Sequence, residues 1–585
     1  MNLKDIKSPA DIKGKSIQEL ANLAAQIRMA LMEKLSRHGG HVGPNLGFVE
    51  ATMALHYVFN SPVDKIIFDV SHQCYTHKML TGRVQAFIDP AHYDDVTGFT
   101  EPRESEHDFF TIGHTSTAIS LSTGLAKARD LKGEKFNIVT IIGDGALSGG
   151  EAFEGLDNAA VLNSNFIVVV NDNEMSIAEN HGGLYADLRL LRNTKGQDPV
   201  NYFRSLGFAY RYVPEGNNLS ALIAAFEEVK DIDHPVVVHI HTEKGAGYAP
   251  AMRDKEKWHF ESPFDIPTAT VFADEHPHKN YSNMTAKLLM DSFAKDPRVV
   301  AITSATPSVM GMGPELRREA GNRFIDVGIA EEQAAAMSSG LAKGGMRPFW
   351  GVFSTFVQRA YDQISQDIAI NNNPAVIGVF GAGVRGMNDV THLCWFDIPM
   401  LSNIPNIVML SPAYAEEYKA MFNWALTQTD HPVVIRIPNE YIEMPDLKPD
   451  TDYSDLNTFQ QIEGGHDLAI IAVGAMLSYA LQAAKQLRAK GINPTVINPR
   501  FVSGVDAEML SALSPDHKAV LTVEDGVLDG GFGQKVAAFY GDRPMLVKCL
   551  GLPKEFHDKF NSADYAAQCG LTVDGIVTAA ETMFK

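Results

Sequence analysis

A chain of 585 residues is long enough for several domains, and 45% hydrophobic with 21% charged residues is the balance of globular proteins with large cores. Its net charge of −21 argues against nucleic acid or an anionic membrane as partner, and requires that any phosphorylated ligand be met by a local cation. Four cysteines, Cys74, Cys394, Cys549 and Cys569, form no CxxC pair, which suits a reducing cytoplasm rather than a disulfide framework or a zinc site. The opening segment MNLKDIKSPADIKGKSIQEL lacks the apolar core of a signal peptide, and no stretch approaches the roughly 18 apolar residues of a membrane span. A soluble, cytoplasmic protein is expected.

Taken in chain order, DKIIFDV, NIVTIIG, NFIVVVND and PVVVHIHT are short runs rich in Val and Ile, which read as buried parallel strands. Helical patterns such as GGEAFEGLDNAAVLN and LSALIAAFEEVKD lie between them. The segment FDIPTATVFADEHPHKNYSN dissolves into Pro, His, Asn and Asp and reads as a linker. A second block follows with RVVAITS, RFIDVGIAEEQAAAMSSGLAKGG, PAVIGVFGAG and NIVMLSP. Polar PDLKPDTDYSDLNTFQ separates it from a third, with DLAIIAVG, NPTVINP, KAVLTVED and MLVKCLG. The fold class is α/β, with three doubly wound units expected over residues 1–270, 283–447 and 460–585.

The first block raises a question of charge. In GDGALSGGEAFEG a strand runs into glycines and then a helix, the usual way to build a phosphate cradle from backbone N–H groups. Yet Asp144 sits inside this loop, and a carboxylate repels a diphosphate. A second strand, VVVNDN, ends in Asn171, Asp172 and Asn173, and adjacent parallel strands end on the same side of a sheet. Asp144 and Asn173 would then form a hard-oxygen pair suited to Mg²⁺ or Ca²⁺, with ligand phosphates completing the shell.

Two features of the second block compete for a cofactor. GAGVRG, from Gly381 to Gly386, matches the dinucleotide fingerprint by letter, but a poor helix pattern and Pro399 follow it, and no acidic strand end appears about 20 residues on. In DVGIAEEQAAAMSSGLA a helix begins near Glu331 and Glu332, where an ordinary glutamate would serve the helix dipole. Histidines are scattered through strand-end and Gly-rich loops: His38, His41, His72, His77, His259 and His392. Such imidazoles can carry protons near neutral pH.

Together these segments resemble the 1-deoxy-D-xylulose-5-phosphate synthase family of the transketolase superfamily. The resemblance is carried by GGHVGPNLGFVEATMALHYVFN, FDVSHQCYTHKMLTGR, GHTSTAIS, GDGALSGGEAFEGLDNA, NDNEMSI, KGAGY, DVGIAEEQ, STFVQRAYDQ, PRFV and VEDGVLDGGFG. The Asn that follows the Asp of GDG by 29 residues (173 − 144) resembles the thiamine-diphosphate signature. The resemblance implies diphosphate-binding, pyrimidine-binding and transketolase C-terminal domains, the last with a mixed sheet, and a homodimer. It implies thiamine diphosphate and Mg²⁺ as cofactors. Asp144, Asn173 and the Met175 carbonyl would hold the metal. Gly145 and Ala146 would line the diphosphate; His72, His114, Ser116 and Lys244 would lie against the cofactor. Glu331 would hydrogen-bond N1′ of the aminopyrimidine and Phe356 would stack on it. His41, His259 and His392 would handle substrate protons beside a substrate-side Arg359.

In that family a two-carbon unit from pyruvate, with decarboxylation, joins glyceraldehyde 3-phosphate. Departures fall on the acceptor side. Gly381 and Asn439 stand where the family carries arginines that grip the acceptor's phosphate, Asn388 replaces an aspartate, and Phe353 a tyrosine. Charge-assisted bonds contribute roughly 1.5–3 kcal/mol each, so losing two implies a drop in phosphate binding of about 100-fold or more unless Arg385 compensates. An unphosphorylated acceptor, a transketolase-type ketose donor, and a catalytically degenerate cofactor-binding subunit are the alternatives. Retention of Glu331 and of the candidate histidines speaks against the last. The stretch from Ile177 to Val236 is shorter than the resemblance leads one to expect.

Overall fold

The computed structural model describes residues 1–272, 279–387 and 389–584. Two compact units result: Met1–Glu275 with Gly328–Ala330, and His276–Val327 with Glu331–Lys585.

The first unit is built on five parallel strands: β1 (Lys65–Phe68), β2 (Ile138–Gly143), β3 (Phe166–Asp172), β4 (Ala209–Val213) and β5 (Pro235–His241), in the order β1-β2-β3-β5-β4. β2, β3 and β5 are buried almost throughout, because helices cover both faces of a parallel sheet. β4 is not evident in the sequence. AYRYV is a half-exposed edge strand whose Arg and Tyr residues break any apolar run. The expected linker contributes a small hairpin, β6 (Phe264–Asp265) with β7 (Thr270–Val271), which pins the buried Phe264. Its residues 273–278 lie outside the described residues, and its last three, Tyr281 to Asn283, already open the helix Tyr281–Lys295.

The second unit contains two sheets. One has six parallel strands: β8 (Val299–Thr303), β9 (Phe324–Asp326), β10 (Arg347–Phe353), β11 (Val376–Ala382), β12 (Val408–Leu410) and β13 (Val433–Pro438), in the order β12-β13-β11-β10-β8-β9. The other is mixed. β15 (Leu468–Ala472), β16 (Pro494–Asn498), β17 (Ala519–Val527) and β18 (Leu546–Leu552) are parallel, and β14 (Gln460–Glu463) adds antiparallel to β16, as the resemblance implied.

β13 escapes a sequence reading because Arg436 interrupts its apolar run. In the structure Arg436 is buried, its Nε 2.6 Å from Asp397 Oδ2 and its Nη1 2.7 Å from Asp525 Oδ1. A charge is tolerated there only because two carboxylates compensate it. Glu524, the neighbour of Asp525 in VEDG, accepts the backbone N–H groups of Phe532 and Gly533 at 2.9 and 2.7 Å and so anchors the start of the helix Phe532–Tyr540. Among the described residues no helix is long and apolar enough to cross a membrane.

Candidate active site

The expected site residues fall into two groups, one in each unit. In the first unit β2 and β3 run in register to Gly143 and Asn171, and the Asp144 N–H donates to the Asn171 carbonyl at 3.1 Å. Asp144 therefore leaves the sheet at its carboxyl edge, where open α/β sheets bind ligands. Its side chain is buried, 1% exposed. Asn180 donates its amide N–H to Asp144 Oδ2 at 2.7 Å, and the Asn173 N–H lies 3.5 Å from Oδ1. Burial, and then the negative charge of Asp172, push the Asp144 carboxyl well above the usual carboxylate range. Burial also opposes ionisation of Asp172, but His239 and Arg192 hold that carboxyl down at about 2.

Asn173 Oδ1 is buried and, among the described residues, accepts no hydrogen bond; neither does Asn180 Oδ1. Orphaned oxygens beside a buried carboxyl are the donor set that a hard cation takes. Met175 is half-buried in the same turn, bridged to Glu179.

The loop after β2 is kept bare. A Cβ on Gly145 would lie 2.9 Å from Ser176 Cα, and one on Gly149 only 2.2 Å from Ser116 Oγ. Ser116, at φ +76°, donates its hydroxyl to the Ala146 carbonyl at 2.7 Å, and its own N–H is held by Asp69 Oδ1 at 2.8 Å. His114 is half-buried ahead of it in the same turn. Lys244 is buried, donates to the Ser176 carbonyl at 2.7 Å, and is pushed down by burial to about 7. A bare turn with one buried lysine fits a diphosphate.

Three of the expected histidines assemble in this unit. Ring centroids lie 4.9 Å apart for His41–His72, 5.6 Å for His41–His259 and 5.2 Å for His72–His259. Asn45 ties the two loops together, donating to the carbonyls of His41 and His72, each at 2.8 Å. Burial, then the charge of Lys244, drives His259 well below the ordinary imidazole value, so it is a neutral base. His77 stands apart in a buried chain from His56 to Asp108, at 2.8 and 2.7 Å.

In the second unit Glu331 opens the helix Glu331–Lys343 and is 3% exposed. Arg359 Nη1 lies 3.4 Å from Glu331 Oε2. Burial outweighs that guanidinium and pushes the Glu331 carboxyl up to about 7. Phe356 sits edge-on to Phe353 at 5.8 Å and to His392 at 5.5 Å. His392 Nδ1 pairs with the Thr391 hydroxyl at 2.7 Å, with Asp389 Oδ1 at 3.8 Å.

On the acceptor side, Gly381 is at φ +68° and Asn439 donates its amide to the Arg385 carbonyl at 2.7 Å. Asn388 lies outside the described residues. Residues that the sequence reading did not single out are Asn45, Asp69, Asn180 and Glu440; Asp69 directly follows β1, as Asp144 follows β2, which is the signal that could have found it.

Comparison with known proteins assigns the scaffold. The family model for 1-deoxy-D-xylulose-5-phosphate synthase matches residues 3–202, followed by the transketolase pyrimidine-binding domain over 278–443 and the transketolase C-terminal domain over 458–576. A 1-deoxy-D-xylulose-5-phosphate synthase of Symbiobacterium thermophilum is 39% identical over 100% of this chain and 95% of that one. The chain belongs to the 1-deoxy-D-xylulose-5-phosphate synthase family. The enzyme of that name from Caldanaerobacter subterraneus subsp. tengcongensis is also 39% identical, over 100% of this chain and 99% of its own. The synthase-family likeness thus runs through both units, including the loops that carry Asp144, Asn173, Glu331 and His392.

Proposed function

We infer that the protein is a thiamine-diphosphate- and Mg²⁺-dependent transferase that joins the two-carbon remainder of pyruvate to an aldehyde. In the net reaction the C1–C2 bond of pyruvate breaks and CO₂ leaves. C2 bonds to the aldehyde carbon, and the former aldehyde oxygen takes up a proton. The observation that supports this most is the buried Asp144 carboxyl beside the orphaned Asn173 Oδ1, an oxygen pair that a cation would complete. When bound, thiamine diphosphate supplies a nucleophilic thiazolium carbon on which a 2-oxo acid can lose CO₂.

The chain's own residues account for the rest. Asp144, Asn173 and the Met175 carbonyl would hold Mg²⁺, which neutralises the like charge of carboxylate and diphosphate. Gly145, Ala146, His72, His114, Ser116 and Lys244 would receive the diphosphate and thiazole. Glu331, poised near neutrality, can hold or release a proton at its carboxyl oxygens against the aminopyrimidine, with Phe356 as the apolar face beside it. His41 and His259, whose rings lie 5.6 Å apart, would handle substrate protons in the first unit; His392 and Arg359 would serve the substrate in the second unit.

The bounds 1–270, 283–447 and 460–585 are proposed as the diphosphate-binding, pyrimidine-binding and C-terminal domains, in a cytoplasmic homodimer. The test is pyruvate consumption with thiamine diphosphate, Mg²⁺ and an aldehyde, run beside calorimetric titration of cofactor and metal into wild type and Asp144→Asn. Wild type should turn over, and the variant should bind the cofactor at least about tenfold more weakly. Equal cofactor affinity in both would remove the metal site, and no pyruvate consumption with any aldehyde would remove the reaction.

A further inference from the structure

The segment that presents His392 runs from the end of β11 to the helix Asp397–Leu401, and after the histidine its backbone is tied to its surroundings. The Cys394 carbonyl accepts the Gly383 N–H at 2.7 Å and the Ser354 hydroxyl at 3.1 Å. The Trp395 carbonyl accepts the N–H of Val527, in β17 of the mixed sheet, at 3.0 Å. The Trp395 ring lies 5.5 Å from that of Phe560 and 5.8 Å from that of Tyr565. Asp397 accepts from Arg436 Nε at 2.6 Å, and Arg436 Nη1 donates to Asp525 of β17 at 2.7 Å. Asp525 also closes on the start of the loop: a Cβ on Gly383, which sits at φ +96°, would lie 1.9 Å from Asp525 Oδ2. One carboxylate of the mixed sheet therefore meets the start of the loop directly and its end through Arg436.

Stability does not account for this trio. Asp397, Arg436 and Asp525 are all buried, and two carboxylates share one guanidinium. Among the described residues Arg436 Nη2 and Asp397 Oδ1 have no hydrogen-bond partner. Each unmet polar atom carries its own desolvation penalty, and replacing a buried ionic cluster by apolar side chains of like volume is often neutral or stabilising. Apolar packing, however, does not fix direction. A guanidinium sets the distance and angle of every carboxylate it holds. A trio that is poor as a stabiliser is suited to fixing the course of a loop.

We propose that Asp525 is a positioning residue: from β17 it fixes, through Arg436 and Asp397 on one side and Gly383 on the other, the segment that presents His392. The proposal rests on the transferase reading above in giving His392 a part in turnover. Asp525 sets where the imidazole stands, and a misplacement of about 1 Å can lower turnover about 100-fold. The mixed sheet thereby takes part in the reaction through a loop of the six-stranded sheet.

The test is a double-mutant cycle on the full-length enzyme with thiamine diphosphate and Mg²⁺, using pyruvate and glyceraldehyde 3-phosphate. Turnover is expressed per cofactor-binding site, counted by calorimetric titration, so that unfolded protein does not lower it. Asp525→Ala should lower kcat at least tenfold. Asp525→Asn, which keeps an oxygen for Arg436 and fills the same space, should recover most of that loss. Gly383→Ala, which leaves the trio intact but drives the loop off Asp525, should lower kcat likewise, and it carries the cycle if Asp525→Ala does not fold. In a His392→Ala background each of these changes should lower kcat less than a further twofold, because a group that acts through His392 has nothing left to act on. An equal fall in both backgrounds, or full turnover in folded Asp525→Ala or Gly383→Ala, overturns the proposal. Hydrogen exchange read by mass spectrometry tests the same point without turnover: both variants should raise exchange over residues 391–397 and leave β15 and β16 protected. If wild type consumes no pyruvate, the transferase reading fails by itself. Unchanged exchange over 391–397 then overturns the positioning as well, and a selective rise there upholds it.

Discussion

Glu331→Gln should make the cofactor-free protein more stable and the loaded enzyme inert. In the unfolded chain this carboxyl titrates near 4.5; in the fold, burial carries it to about 7 despite Arg359. Between those values the folded state keeps a proton that the unfolded state has released. The stability associated with the protonated form is therefore fully present below 4.5 and is lost as pH rises through about 7. The difference corresponds to about 3 kcal/mol above neutrality. Glutamine mimics the protonated carboxyl at every pH and can still accept a bond from Arg359. Urea denaturation of the cofactor-free proteins should show the variant ahead by up to about 3 kcal/mol at pH 8 and level with wild type near pH 5. Turnover should fall by at least about 100-fold, the scale of a lost general acid–base. A variant no more stable than wild type at pH 8, or a gap that stays constant with pH, would refute the reasoning that this position carries a functional charge at the expense of the fold.

Gly149→Ala places a methyl 2.2 Å from Ser116 Oγ, so the Ser116–Ala146 bond must break or the turn must move; a loss of about 1–3 kcal/mol in thermal or urea denaturation, together with weaker calorimetric binding of thiamine diphosphate, is expected. Asp397→Ala leaves the buried Arg436 with Asp525 alone, and a destabilisation of about 3–5 kcal/mol should appear in urea titration of the second unit's transition; a neutral outcome would mean that water replaces the lost carboxylate.

Much of this architecture was legible because its signals are local. Strands such as NIVTIIG and NFIVVVND announce themselves by continuous Val and Ile, and the bare glycines after β2 announce a turn. What escaped were residues whose meaning depends on a distant partner. Arg436 breaks the apolar run of VVIRIP, and its place inside a strand makes sense only once Asp397 and Asp525 are seen to enclose it. Arg385 reads as a spare cation for a phosphate, and only the fold brings Glu440 and Tyr479 against it. Asn45 and Asn180 are single polar letters in the chain, yet each fixes the geometry of residues the sequence does single out. Pairing across tens of residues leaves no periodicity to read.

The question raised by an aspartate inside a phosphate loop has an electrostatic answer in the first unit. Two buried carboxylates, Asp144 and Asp172, leave the ends of adjacent strands and oppose each other's ionisation. The chain commits its nearby partners unevenly: His239 and Arg192 both pair with Asp172, at 2.9 and 2.6 Å, and hold it ionised. Among the described residues Asp144 receives neutral donors, from Asn180 and the backbone of Asn173. Lys244, the cation that acts on it through space, is itself driven toward its neutral form by burial. A protonated Asp144 has a single O–H to give, which could meet one of the two unpartnered amide oxygens, Asn173 Oδ1 or Asn180 Oδ1, and would leave the other unmet. A fold meant to keep it ionised without help would have turned Arg192, which pairs with Asp172, toward it as well. The uneven arrangement suits a positive charge that would arrive with a ligand, and a divalent cation held by Asp144 and Asn173, as proposed above, would supply it.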